Sequence, residues 1–280
     1  MSHALRIAPM SLEDLNVAIE WAAVEGWNPG LDDASAFHAA DPNGFLMGWL
    51  GDEPVSAISV VRHSEDFGFL GFYLCRPEYR GHGYGLTTWQ AGMSYLEDRV
   101  IGLDGVPAQQ DNYAASGFAL AHNTQRYAGR IIGQAHARIR AVKASDHSDL
   151  LAFDRTISGA DRSAYFAAWM KSASTRQTLL RDSNGVIEAI GTIRACREGH
   201  KIGPLFAPDQ AVALQMIEAL CAAVDAHEIM IDVPDPNVSG VDLVTSLGLE
   251  AVFSCARMYR GAPPTRDLTR IFSETTFELG

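Results

Sequence analysis

Phe69-Leu70-Gly71-Phe72-Tyr73-Leu74-Cys75-Arg76-Pro77-Glu78-Tyr79-Arg80-Gly81-His82-Gly83-Tyr84-Gly85-Leu86 reads as a strand, a turn and the opening of a helix. The apolar run predicts the strand, and Pro77 ends its pairing because proline has no N–H to give to a ladder. A turn carrying Arg80 and three alternate glycines feeds a helical run from Leu86 to Leu96. Glycines at 81, 83 and 85 let consecutive backbone N–H groups face one point at a helix N-terminus, where the dipole also favours an anion. Such a nest suits a pyrophosphate. It is not a dinucleotide fingerprint, because the glycine spacing differs and the strand comes mid-domain, after a hairpin. It is not a P-loop either, since no Lys-Ser/Thr follows Gly85.

The surroundings of this stretch recur. Asp14-Leu15, in a helix opened by a Ser11 cap, matches Asp149-Leu150. Ala57–Arg62 lines up with Ala189–Arg194, each reading as the second strand of a hairpin after a Gly-containing turn. Cys75–Glu78 corresponds to Phe206–Asp209, Ser116–Phe118 to Leu247–Leu249, and Arg126–Gly129 to Met258–Gly261. All five features keep one order at offsets between 131 and 135 residues. Collinearity at a fixed period is the mark of a tandem duplication. The second copy lacks the loop, having Ala211-Val212-Ala213-Leu214 where the first has Arg80-Gly81-His82-Gly83. One phosphate site per chain is expected, with the boundary between residues 133 and 134. The tail opens with Ala262-Pro263-Pro264 and ends on the apolar close Thr276–Gly280, which predicts that it returns and packs.

The bulk properties agree. The chain has 280 residues, 47% of them hydrophobic, so two α/β cores are affordable on length alone. A net charge of -12 argues against general nucleic-acid or anionic-membrane binding. Cys75, Cys196, Cys221 and Cys255 form no C-x-x-C pair, so no zinc knuckle or dithiol motif is read, and a reducing cytoplasm fits. No apolar run is long enough to span a bilayer and no signal peptide is visible.

Arg80, Gly83 and Gly85 fall on the defining positions of the [RQ]-x-x-G-x-[GA] loop, and Tyr113-Ala114-Ala115-Ser116-Gly117-Phe118 resembles the Y-x-x-x-G-F element, of the GNAT N-acetyltransferase superfamily. Glu25–Gly30, Val106–Tyr113 and Asp154–Arg162 resemble the tandem subgroup whose C-terminal half is a second, divergent acetyltransferase-like domain. The resemblance implies an α/β (α+β) fold of two such domains, each a mixed, mostly antiparallel sheet flanked by helices. Residues 1–133 would bind acetyl-CoA as co-substrate, with no metal, and 134–280 would serve the acceptor side. It implies transfer of an acetyl group to a small-molecule amine, such as an amino acid or polyamine. Transfer to a protein lysine or N-terminus, or a non-catalytic acyl-CoA sensor, are the alternatives.

Acetyl transfer needs the CoA held, the carbonyl polarised, the amine deprotonated and the leaving thiolate protonated. By resemblance, Tyr73, Leu74 and Cys75 offer backbone groups to pantetheine and the carbonyl oxygen, while Arg80, Gly81, His82, Gly83, Tyr84 and Gly85 hold the pyrophosphate. Cys75 reads as a small buried hydrophobe rather than a nucleophile. Tyr113 is the candidate general acid, since a phenol is protonated at neutral pH; otherwise it packs its ring. Asn112 either bonds the CoA backbone or caps a helix. Glu25 is the chosen base, with Glu65, Asp66 or a water relay as alternatives. Trp27 and Asn28 are candidate substrate contacts. Asp154 and Arg162 either pair to position the second domain, the preferred reading, or grip a substrate carboxylate. His63 reads as an ordinary strand residue.

Overall fold

The computed structural model describes residues 4–280. The first half runs β1 (Arg6–Pro9), α1 (Leu12–Val24), α2 (Asp33–Ala40), β2 (Phe45–Leu50), β3 (Glu53–Arg62), β4 (Phe67–Cys75), α3 (Tyr84–Leu96), β5 (Val100–Gly105), α4 (Gln110–Ala115) and β6 (Ala119–Arg130). The second half repeats that order as β7 (Ile139–Ala141), α5 (His147–Ser158), α6 (Ser163–Trp169), β8 (Arg176–Ser183), β9 (Val186–Ala195), β10 (His200–Phe206), α7 (Gln210–Val224), β11 (Glu228–Pro234), α8 (Val238–Ser246) and β12 (Glu250–Arg260). A short β13 (Ile271–Ser273) has no counterpart in the first half.

Local sequence accounts for the elements. Helix α1 starts at the Ser11–Asp14 capping box and buries Leu15, Ala18, Ile19 and Ala22, one face of a 3.6-residue period. Helix α7 buries Val212, Ala213, Met216, Ile217 and Leu220 on the same spacing. Both hairpins pair antiparallel, β2 with β3 and β8 with β9, while β4–β5 and β10–β11 are parallel because a helix crosses over between them.

The halves do not keep separate sheets. Strand order across the described residues is β1-β2-β3-β4-β5-β12-β6-β11-β10-β9-β8-β7, one continuous and mostly antiparallel sheet. Each half sends its last long strand to the other: β5 pairs with β12 and β11 pairs with β6, and the two exchanged strands pair with each other. Separating the halves would therefore break three ladders. Away from the sheet, Phe37 on α2 stacks on Trp169 of α6 at 5.9 Å, and buried Asp33 pairs with Arg176 (2.7 Å) and Arg194 (3.2 Å).

The tail does return and pack. Strand β13 lies antiparallel on the end of β10, Ser273 accepts from the Asp232 N–H at 3.0 Å, and residues 271–280 are buried throughout.

Candidate active site

Strand β4 carries a bulge. Ala57 faces Leu74 and Ser59 faces Gly71, so three steps on β4 oppose two on β3, and Phe72 takes the left-handed φ of 43°. Its parallel pairing with β5 ends at Leu70↔Leu103, while β5, paired along its other edge with β12, runs on to Gly105. The two strands splay into a wedge, and backbone groups of Gly71–Cys75 on that side have no ladder partner. The wedge is a cavity of about 360 Å³, within the range of small-ligand sites. Tyr73, Leu74, Cys75, Arg80 and Tyr113 line it with Glu25 and Trp27.

Of the glycine loop only Arg80 lines this cavity; residues 81–85 follow it into α3, outside the lining. Gly81 and Gly83 adopt φ of 80° and 82°, and Gly83 is the N-cap of α3, whose first N–H groups lack intrahelical partners by geometry. A Cβ on either glycine would meet open space, so it is the backbone conformation that demands glycine there. A Cβ on Gly85 would lie 3.1 Å from the Tyr73 hydroxyl, so this glycine lets α3 close on β4. His82 is exposed, with its ring 5.8 Å from that of Tyr84. Arg80 donates to the Cys75 carbonyl at 2.9 Å and forms an ion pair with Glu25.

The second half repeats the bulge between β9 and β10, where Ile202 faces Ile193 and Leu205 faces Gly191. Its wedge is filled. Strand β13 lies where the first half is open, and the Ser273 hydroxyl donates to the Ile202 carbonyl at 2.7 Å. At the start of α7 the Asp209 carboxylate caps the Val212 N–H at 2.8 Å, so a fixed side-chain anion sits where the first half offers free amides.

Tyr113 is 8% exposed, its ring stacked 5.7 Å from Trp89 and so close to Gly105 that a Cβ there would fall 2.4 Å from it. Burial, then the neighbouring Tyr73 and Cys255, push its pKa up to about 12, so it stays a phenol. Burial likewise raises the Tyr73 hydroxyl and the Cys75 thiol, and a raised thiol is a poor nucleophile.

The acceptor side departs from the sequence reading. Trp27 lines the cavity, and its carbonyl accepts from Arg126 (3.2 Å) and Lys201 (2.9 Å). Asn28 does not line it; its amide clamps the Glu198 backbone at 2.9 and 3.2 Å. Exposed Asn112 turns its side chain to Gln109 at 2.6 Å, outside the cavity lining. Asp154 and Arg162, 2% and 5% exposed, form a buried two-pronged pair (2.6 and 3.0 Å), and Arg162 also donates to the Gly280 carbonyl. Neither lines the cavity, so the positional reading of this pair replaces the substrate-carboxylate one. Glu65 and Asp66 lie in a shallow depression elsewhere on the surface. His63 is not a strand residue: it lies just past β3, which ends at Arg62, and its Nε2 meets the Leu279 carbonyl at 2.9 Å.

Residues that sequence reasoning missed complete the wall: Arg126 and Phe253 from the exchanged strands, and Phe277 and Glu278 from the tail. The only sequence signal was the apolar close of the tail. Among the described residues no cluster of three or more His, Cys, Asp or Glu could hold a metal.

The Acetyltransferase (GNAT) family matches residues 12–124, and an Acetyltransferase (GNAT) domain matches 150–273. Holothin acyltransferase of Pseudoalteromonas sp. (strain SANK 73390) is 33% identical over 275 residues, spanning 97% of this chain and 93% of that protein. The chain belongs to the tandem GNAT acyltransferases. A putative acetyltransferase from Pyrococcus horikoshii superposes with a TM-score of 0.81 at 19% identity, over 99% of this chain and 96% of that one. A tandem GNAT protein from the clavulanic acid biosynthesis pathway gives 0.64 at 12% identity, over 94% of this chain and all of that one. Both show the fold. As a tandem GNAT protein the chain is an acyltransferase, and its family ordinarily takes acetyl-CoA as co-substrate.

Proposed function

We propose that this acyltransferase moves an acetyl group from acetyl-CoA directly to the amine of a small molecule. The observation that carries this is the meeting of Arg80, which opens the glycine loop, the unpaired β4 backbone and the Tyr113 phenol in one cavity. Residues 1–133 would supply the acetyl-CoA site. Arg80 and the 81–85 backbone take the pyrophosphate, Tyr73–Cys75 take pantetheine and the carbonyl oxygen, and Tyr113 stabilises the leaving sulfur. Residues 134–280 would shape the acceptor side.

The acceptor wall favours a flat, apolar amine. Trp27, Phe253 and Phe277 supply aromatic faces. Of the two cavity cations, Arg126 is held by Asp232 (2.7 and 2.9 Å) and Arg80 is assigned to the pyrophosphate, so a substrate carboxylate has no free partner. This weighs against an amino acid. A polyamine would need several free carboxylates, and Glu25 and Asp104 are both in ion pairs. A cavity of this size, walled by the chain's own tail, weighs against an extended peptide. The relative's name makes holothin the first acceptor to try. No described helix is long and apolar enough to cross a membrane, and the cytoplasm remains the proposed location. Free thiol released from acetyl-CoA against an amine panel tests the reading. Release with aromatic amines supports it, and silence with every amine overturns it.

A further inference from the structure

Three carboxylates line the cavity: Glu25, Asp104 and Glu278. Arg80 holds the first, and Arg257 grips Asp104 with two bonds of 2.7 Å. Among the described residues the third has no ion-pair partner within 4 Å, although it is only 6% exposed. A buried carboxylate facing a cavity without a partner is costly unless something else uses it.

The fold takes trouble to put it there. Glu274 ties the tail to Arg257 of β12 at 3.4 Å and braces it internally through Arg266 at 2.9 and 2.6 Å. Residues 276–280 then make one tight turn: the Gly280 N–H donates to the Thr276 carbonyl (3.2 Å), and the Leu279 N–H donates to the Thr276 hydroxyl (3.1 Å). His63 and Arg162 hold the carbonyls of Leu279 and Gly280. The middle of the turn is pressed onto the β4 bulge, so that a Cβ on Gly71 would lie 2.2 Å from the Glu278 carbonyl oxygen. Glu278 is thereby set beside the strand segment that the proposed function assigns to the acyl carbonyl.

We propose that Glu278, two residues from the end of the chain, is the general base, a role the sequence reading gave to Glu25. The inference rests on the proposed amine acetylation. For a neutral amine, the C–N bond forms as Glu278 takes a proton from nitrogen. The C–S bond then breaks with its electron pair going to sulfur, which receives a proton from Tyr113. Glu278 afterwards loses its proton to solvent and Tyr113 regains one, leaving amide and free CoA thiol. An amine arriving as ammonium gives one further proton to solvent.

The charges facing Glu278 are Lys201 on β10, Arg194 on β9, Arg126 on β6 and Asp33 on α2, with the Cys255 thiol nearby on β12. Burial, with the Asp33 charge, outweighs the three cations and lifts its carboxyl above the ordinary value, in the direction that makes a better base. Deprotonation switches the base on, so kcat/KM rises with pH through that pKa.

The test is Glu278→Gln in the full chain, assayed by thiol release with the best amine of the panel. Expected are a fall in kcat of about 10²–10⁴-fold, an acetyl-CoA Kd within threefold of wild type, and loss of the acidic limb of the pH profile. A second variant, Glu278→Ala, should regain turnover on addition of formate. Near-normal turnover in the Gln variant, a retained acidic limb, or no formate rescue overturns the assignment while leaving the acetyltransferase reading in place. A wild-type protein silent towards every amine overturns both.

Discussion

Replacing Tyr113 by Phe removes one hydroxyl and keeps the ring between Trp89 and Gly105, so fold and acetyl-CoA affinity should hardly change. At about 12, the phenol is far less acidic than a thiol. Against a thiol near 8.5 the gap is roughly 3.5 units, or about 5 kcal/mol, so a free-standing proton transfer to a formed thiolate is uphill. The hydroxyl must therefore act while charge is developing, as a hydrogen-bond donor whose proton follows as the C–S bond breaks. A hydrogen bond to a charged group is worth about 1.5–3 kcal/mol, which converts to a drop of roughly 10- to 150-fold in kcat. Because the bond is made only in the transition state, kcat and kcat/KM should fall together. Thiol-release kinetics beside an acetyl-CoA titration read both quantities. Turnover within threefold of wild type would refute the role. Lost affinity with intact turnover would place the hydroxyl on CoA instead.

Gly83→Val should abolish acetyl-CoA binding, because φ of 82° is hostile to a β-branched residue and its side chain would stand in the phosphate site, whereas Ala213→Val, in the matching stretch of the second copy, should only perturb packing; calorimetric titration of both checks the asymmetry. Asp154→Ala leaves buried Arg162 without its carboxylate and should cost about 3–5 kcal/mol in denaturant unfolding, with acetyl-CoA affinity of the folded protein unchanged. His63 is held neutral by burial, its pKa lowered to about 4. A folded pKa below the unfolded value makes stability complete above about 6.5 and progressively lost as pH falls towards 4, by up to roughly 3 kcal/mol, less where solvent reaches the half-buried residue. Melting curves across that window should slope, and His63→Gln should flatten them.

The phosphate loop and the duplication were legible because both are local or periodic. Arg80, Gly83 and Gly85 sit within six residues, and their conformation follows from glycine alone. The strand exchange was not legible for a reason built into the duplication: β6 and β12 carry similar patterns, so β5 could pair with either without violating burial. Spacing put Asp154 and Arg162 within reach of each other, but that the pair is buried against the tail depends on where Gly280 docks. Glu278 was invisible for the same cause. Its wall of the site depends on contacts such as His63 with Leu279, 216 residues apart. Asn28 was misjudged because a polar residue on a loop bounded by Gly and Pro looks alike whether it meets a ligand or the Glu198 turn of the other half.

The central claim is that one of two duplicated wedges binds acetyl-CoA while the other is filled by β13 and capped by Asp209. Calorimetric stoichiometry addresses it directly. The account predicts one acetyl-CoA per chain in wild type and none in Gly83→Val; two per chain, or undiminished binding in the variant, would contradict it.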